Sequence, residues 1–246
     1  NFFVPSSRRR ANRSRLSLFL ALFLALFLAP GCGSGSPSST DAAVDAADTM
    51  DGGTDPARLV VVGPNGEIAS LALSAPFAVI ESADLDAVTS SVKCAGSRCV
   101  VVHPAPSDTV DLVDARTLSV TRTFTLARDA DPRDATWVGE DTAVVTQYGS
   151  AELLVIDTTA LTTSTVDLSD LADADGLPEP GHVVSCGQRA YVQLARIDHE
   201  TGTVSDLGPA LAVVDLSLPA GERVVDADPD TAGVQGVTLA SQADFD

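Results

Sequence analysis

The stretch that decides the fold spans residues 131–168 and reads DPRDATWVGEDTAVVTQYGSAELLVIDTTALTTSTVDL. Two short apolar runs, at 144–145 and 153–156, are separated by the turn sequence QYGS. Short runs rich in β-branched residues and bounded by turn residues are typical of strands, because a buried helix needs ten or more periodic residues. The alternating segment 165–168 predicts an edge strand. We therefore predict a four-stranded antiparallel unit here, with Gly149 at positive φ in the turn.

Along the chain, a glycine before one strand and an aspartate after the next recur, once within this stretch and once on each side of it. The pairs are separated by 18, 18 and 28 residues, and they are Gly96 and Asp114, Gly139 and Asp157, and Gly187 and Asp215. The longer third separation predicts an insertion around HETGTVSDLG, at 199–208. Prolines mark the same period every 48 or 49 residues, at Pro132, Pro180 and Pro229. A period of about 40–50 residues with four strands per copy is typical of β-propeller blades.

The string TAVVTQYGSAELLVIDTTAL, at 142–161, resembles the YVTN-type β-propeller repeat, in which a Tyr-Val strand, an asparagine/glycine turn and a V-I-D strand recur. Tyr191 and Val192 resemble its Tyr-Val pair in the next copy. The resemblance covers about residues 90–240. It implies an all-β fold, a β-propeller of four-stranded antiparallel blades packed around an axis, and no particular activity. An unrelated β-sandwich is the alternative fold.

The propeller region is expected to occupy residues 56–246 and to be incomplete. Three blades are clear, a piece of an earlier one lies at 56–88, and the start of a later one is expected from Thr231. A closed propeller typically needs four to eight blades. We therefore expect truncation at the C-terminus, either within a longer protein or with open apolar blade faces that need a partner.

Residues 1–31 are expected to form a lipoprotein-type signal peptide. Five arginines lie within the first 15 residues, and all 34 acidic residues follow Cys32. The apolar segment 16–29 is too short to span a membrane comfortably, which favours a cleaved signal over an anchor. The sequence LAPGC, at 28–32, resembles a bacterial lipobox, which implies that Cys32 carries lipid. An ordinary secretory signal with an incidental cysteine is the alternative.

A tether is expected at 32–55. It is Ser/Gly-rich and then Asp/Ala-rich, so it cannot bury enough apolar surface to fold and is predicted to be disordered. The expected localisation is therefore the cell envelope, where the exported domain is anchored to a membrane by lipid. Cys32 is followed by Gly33 and Ser34, and neither is the aspartate that would retain a lipoprotein in the inner membrane. The sequence therefore favours the outer membrane of a two-membrane cell.

The net charge of −19 excludes nucleic acid as a natural partner and favours cations or basic partners. Loops joining successive blades carry the acidic residues Asp129, Asp131, Asp173, Asp175, Glu179, Asp226, Asp228 and Asp230. In a propeller these loops converge on one rim, where carboxylates could hold Ca²⁺ or a basic partner. Solvated loop charge is the alternative that the composition favours, so no metal or other cofactor is assigned.

Cys94 and Cys99 flank a predicted hairpin tip, and the chain leaves open whether they form a disulfide or two buried thiols. Cys186 would then be left over. The three histidines, His103, His182 and His199, lack ligand partners at metal spacing, which favours packing or surface roles. Trp137 is expected to pack within its blade.

The chain contains no nucleophile elbow, P-loop or dinucleotide-binding motif. The predicted function is therefore a membrane-tethered binding or scaffold module that takes a protein or small-molecule ligand on the propeller rim. The alternative is the N-terminal part of a propeller enzyme whose catalytic blades lie beyond residue 246.

Overall fold

Four antiparallel sheets of three or more strands, and one two-stranded hairpin, follow one another along the chain in the computed structural model, which describes residues 57–198 and 201–239. The first sheet has three strands, β1 (Arg58–Val62), β2 (Glu67–Ala72) and β3 (Val79–Asp84). The second sheet has four, β4 (Ser91–Ala95), β5 (Arg98–His103), β6 (Thr109–Asp114) and β7 (Val120–Thr125). The third sheet repeats this order with β8 (Pro132–Val138), β9 (Thr142–Gln147), β10 (Glu152–Asp157) and β11 (Thr162–Asp167).

The fourth sheet contains an insertion. Its first strands are β12 (Pro180–Cys186) and β13 (Arg189–Leu194), followed by a hairpin of β14 (Ile197–Asp198) and β15 (Thr203–Val204). The sheet then continues with β16 (Ala210–Asp215), and both β17 (Val224–Val225) and β18 (Val237–Thr238) pair with β16. The hairpin occupies the place where the long glycine–aspartate separation predicts extra residues. Within the described residues, the one helical segment is a 3-10 turn, Ser169–Leu171.

The strand β10 shows why these sheets stack. Val155 faces the fourth sheet and packs in a cluster with Val183 and Val192, whereas Ile156 faces the second sheet and packs with Val102. Successive residues of a strand point to opposite faces, so both faces of this sheet are covered by another sheet. A strand covered on both faces needs apolar residues at every position, which explains the continuous apolar run of β10. The two-sided packing confirms the predicted stack of four-stranded blades.

The first strands of the complete sheets lie side by side, since β8 contacts both β4 and β12. They are the inner strands of a propeller. In the first sheet, β1 corresponds to β5, because Arg58 and Arg98 both begin a strand and both reach the turn after the third strand of the next sheet. The described part of the first sheet therefore comprises strands two to four of a blade, in agreement with the piece predicted at 56–88.

One local prediction is wrong, because Gly149 does not have a positive φ. A glycine is needed there for close approach instead, since a Cβ would lie 2.0 Å from the carbonyl oxygen of Asp129. Of the segment expected to begin a later blade, the described part, 231–239, belongs to the fourth sheet, because β18 pairs with Ala210 and Leu211 at its outer edge.

Several sequence-based predictions lie outside the described residues. These are the signal peptide, the lipidated Cys32, the whole of the tether, and His199. Among the residues that the structure describes, no helix has the length and apolar character needed to cross a membrane.

Candidate functional site

The inner strands bring three polar residues to one level of the propeller axis. Val92, Ala135 and Val183 pair with the fourth residue of β5, β9 and β13, respectively. The residues immediately before them therefore occupy equivalent positions, and they are Ser91, Asp134 and His182. Equivalent inner-strand positions lie at the same height around the axis.

Asp134 joins the three inner strands through both carboxylate oxygens. Its Oδ1 accepts a hydrogen bond from the Ser91 hydroxyl at 2.7 Å and lies 3.6 Å from Lys93 Nζ. Its Oδ2 accepts from the Val183 amide at 3.2 Å and lies 3.6 Å from His182 Nδ1. The carboxylate is thus buried but fully engaged, which is the condition for placing a charge away from water.

The basic partners of Asp134 face solvent. The Lys93 side chain, from the only lysine in the chain, is 40% exposed, and that of His182 is 85% exposed. A second polar contact lies nearby, since the Thr136 hydroxyl donates to Ser185 Oγ at 3.2 Å. We call Ser91, Lys93, Asp134 and His182 the axial cluster. Lys93 and His182 thus present side-chain nitrogens to solvent at one level of the axis, held there by Asp134.

The structure places the predicted rim carboxylates in loops that they help to fold. Asp108, which the sequence analysis did not single out, accepts from the amides of Asp129 and Asp131 at 3.0 and 2.8 Å. Asp131 in turn accepts from the Ala105 amide at 3.2 Å and pairs with Arg133. The Asp129 side chain is 83% exposed. Asp131 therefore orders the loop between the second and third sheets.

Asp131 and Glu179 are brought together around Tyr148. Glu179 is fully buried and accepts from the Ile197 amide at 3.0 Å. Arg133 lies over the Tyr148 ring, 5.1 Å from its centre. Burial raises the pKa of the Tyr148 hydroxyl above its usual range, and the charges of Glu179 and Asp131 add to this rise. Both carboxylates therefore act on one partly buried phenol.

The remaining rim carboxylates are used within their own loops. Asp173 accepts from the Asp175 amide, and Asp226 accepts from the amides of Asp228 and Gln235. Asp230 is exposed. Within 57–198 and 201–239, no three acidic, histidine or cysteine residues are grouped so that they could hold a metal ion.

Other singled-out residues stabilise the blades. Cys94 and Cys99 are cross-strand neighbours joined by a disulfide. Cys186 is not left over, because none of the described cysteines is a free thiol. The buried His103 contacts Asp111 Oδ2 through Nε2 at 3.1 Å, which ties β5 to β6. Trp137 donates to the Lys93 carbonyl at 2.9 Å and packs between sheets.

The recurring aspartates end the third strand of each complete sheet and fold the turn that follows. Asp114 Oδ1 accepts from the amides of Arg116 and Thr117. Asp215 Oδ1 accepts from the amide and hydroxyl of Ser217, while Arg189 donates to its Oδ2 at 2.9 Å. These hydrogen bonds, that from the Ser217 hydroxyl foremost, lower the pKa of Asp215 to about 2.

Comparison with known proteins concerns the fold. No protein-family model and no curated protein matches the chain. Among solved structures, Kuenenia stuttgartiensis hydrazine synthase is 16% identical over 72% of this chain and 51% of that one, with a TM-score of 0.52. A chain of the mitotic checkpoint complex is 10% identical over 67% of this chain and 47% of that one, with a TM-score of 0.50.

The β-propeller domain of Myceliophteria thermophila Cps50 (Swd1) is 13% identical over 64% of this chain and 58% of that one, with a TM-score of 0.47. This chain thus spans about half the length of each of these structures. At such low identity the likeness to the two structures with TM-scores of 0.52 and 0.50 shows a shared fold, and the blade geometry described above identifies that fold as a β-propeller.

Proposed function

We propose that this chain is a lipid-anchored binding or scaffold module of the bacterial cell envelope, with a propeller of the YVTN-repeat kind carried outside the cytoplasm. The observation that carries the proposal is the order of its parts. The sequence LAPGC at 28–32 is followed by a tether that cannot fold alone, and the stacked sheets come next. This order suits a domain held at a distance from a membrane.

The axial cluster supports a binding role for the propeller. Lys93 and His182 present donors to solvent, and Asp134 holds them on neighbouring inner strands. A ligand with acceptor groups, on a protein or a small molecule, fits this arrangement. The net charge of −19 disfavours nucleic acid, since phosphates are repelled by carboxylates.

The tether is tested by replacing Cys32 with serine in cells that export the protein. Lipid on Cys32 would anchor the chain, so Cys32→Ser is expected to move it from the membrane pellet to the soluble fraction and to abolish its labelling by radioactive palmitate. Ser34→Ala, which changes a neighbouring side chain and leaves Cys32 in place, serves as the control and should remain in the pellet. If Cys32→Ser stays with membranes after a high-salt wash, a lipid at this residue is not the anchor.

A further inference from the structure

Two basic side chains of the axial cluster have N–H groups that no described residue accepts. Lys93 Nζ and His182 Nδ1 each lie 3.6 Å from an oxygen of Asp134, a distance that suits an ion pair but exceeds that of an N–H···O hydrogen bond. Within 57–198 and 201–239, neither side chain forms a hydrogen bond. Asp134 therefore holds both nitrogens beside it, while their N–H groups remain available to a ligand.

The carboxylate of Asp134 is already committed to the fold. Its Oδ1 accepts from the Ser91 hydroxyl at 2.7 Å and from the Ala135 amide at 2.9 Å. Its Oδ2 accepts from the Val183 amide at 3.2 Å. These three hydrogen bonds join the inner strands of three sheets and fix the carboxylate, so it cannot turn to satisfy its basic neighbours. Asp134 is thus a positioning residue.

A hydroxyl donor lies on the same side of the channel. Thr136 occupies on β8 the position that Lys93 occupies on β4, because they pair with Val144 and Val100, the third residues of β9 and β5. The Thr136 hydroxyl donates to Ser185 Oγ at 3.2 Å. Ser185 is exposed, and its hydroxyl keeps its own hydrogen for another acceptor. An ammonium, an imidazole and a hydroxyl therefore line one surface.

The ligand group that fits these donors is a carboxylate. Each of its two oxygens accepts hydrogen bonds, and those from an ammonium are of the strong, charge-assisted kind. At physiological salt the screening length is about 8 Å, so Lys93 acts on a bound group more than distant charges do. The net charge of −19 still repels a doubly charged phosphate more than a singly charged carboxylate. A single negative charge is therefore favoured.

The exposure of Lys93 does not arise from an uncovered sheet. Lys93 and Thr136 belong to the second and third sheets, and each of these sheets has a neighbouring sheet on both faces. The Lys93 side chain is nevertheless 40% exposed. Inner strands of a propeller surround a central channel, so further blades would line other parts of the channel wall and leave Lys93 in contact with it.

We infer that the axial cluster binds the carboxylate group of a small acid or of a peptide C-terminus. Lys93 is its main contact, His182 and Ser185 are further donors, and Asp134 holds the two basic side chains in position. This role rests on the binding function proposed above and names the chemistry of its ligand. It does not depend on a lipid at Cys32.

NMR titration of the purified chain tests the site through Lys93. Because Lys93 is the only lysine, isotope-labelled lysine gives a single side-chain ammonium signal. The probes are sodium acetate, N-acetyl-trialanine and the C-terminal amide of the same peptide, each added at constant ionic strength against sodium chloride. Both carboxylates should shift the signal saturably, and the amide and chloride should not. Tighter binding of the peptide acid than of acetate would identify a peptide C-terminus, and equal binding a small acid.

Variants then show whether Lys93 carries the binding, with the backbone amide of Val183 as the signal. Lys93→Met should weaken carboxylate binding roughly tenfold or more, because a charge-assisted hydrogen bond is lost. Arg128→Met makes the same change of charge at a side chain that is 92% exposed, and should bind as the parent does. Should Lys93→Met lose its melting transition, His182→Ala takes its place and should weaken binding several-fold.

Three results would overturn the assignment. They are a Lys93 signal that does not shift saturably with either carboxylate, an equal shift with chloride, and equal weakening in Lys93→Met and Arg128→Met. Carboxylate binding that persists undiminished in Lys93→Met would leave a binding role for the propeller but move its site elsewhere. The failure of this site is thereby distinguished from the failure of the proposed function.

Discussion

At the scale of single residues, the aspartate that ends each third strand shows how a repeat carries structure. Asp114, Asp157 and Asp215 recur because each accepts amide hydrogens of the turn that follows it. The aspartate carboxylate, rather than a backbone carbonyl, accepts these hydrogen bonds and so folds the turn. Periodicity reveals the position, whereas the role becomes visible only when the hydrogen bonds are known.

Asp215 makes this role measurable through pH. Its pKa falls from 3.8 to about 2 in the folded chain because Ser217 and Arg189 donate to its carboxylate. A lowered folded-state pKa adds stability that is present above the unfolded-state value and is lost as pH falls toward the folded-state value. Asp215→Asn should therefore lower the free energy of unfolding at neutral pH, and its deficit relative to the parent should shrink between about pH 4 and pH 2.

Denaturant unfolding at several pH values checks the expectation for Asp215. Asp129→Asn is the control, because the Asp129 side chain is 83% exposed and should change stability little at any pH. A deficit for Asp215→Asn that is constant from neutral pH to pH 2 would mean that the carboxylate charge is not what folds the turn.

At the scale of elements, the strands follow from local sequence but their loops do not. The run at 153–156 lies within β10 as predicted, and the edge strand predicted at 165–168 begins earlier, at Thr162. The role of Gly149 is not predicted by the residues next to it. Its neighbour is the Asp129 carbonyl in the preceding loop between sheets, and a contact across 20 residues leaves no trace in the turn sequence QYGS.

Replacing Gly149 with alanine tests that close approach. The added Cβ would meet the Asp129 oxygen at 2.0 Å, so the loop must shift, and overpacking of this kind costs about 1–3 kcal/mol. Gly181→Ala is the matched control, because nothing lies within 4 Å of a Cβ there. Chemical denaturation measures both free energies. Equal small effects in the two variants would show that the loop does not lie against Gly149.

At the scale of the whole molecule, the glycine, aspartate and proline spacing predicts the stack of blades, and the resemblance to a propeller repeat predicts its axis. The axial cluster is not predicted. Ser91, Asp134 and His182 share no residue type, so they become equivalent only through strand register. The acidic rim differs from its prediction. The sequence suggests Asp131 and Glu179 as carboxylates that could hold a cation or a basic partner, but in the structure both accept hydrogen bonds from backbone amides.

The third sheet is covered by another sheet on both of its faces, and substitutions in β10 measure this cover separately for each face. Ile156 is fully buried toward the second sheet and Val155 is nearly buried toward the fourth. By denaturant unfolding, Ile156→Ala should cost about 2–5 kcal/mol and Val155→Ala about 1.5–3 kcal/mol. Val204→Ala, on the exposed hairpin, should stay within about 0.5 kcal/mol. A cost below about 1 kcal/mol for either β10 variant would leave one face of the blade uncovered and contradict the propeller stack.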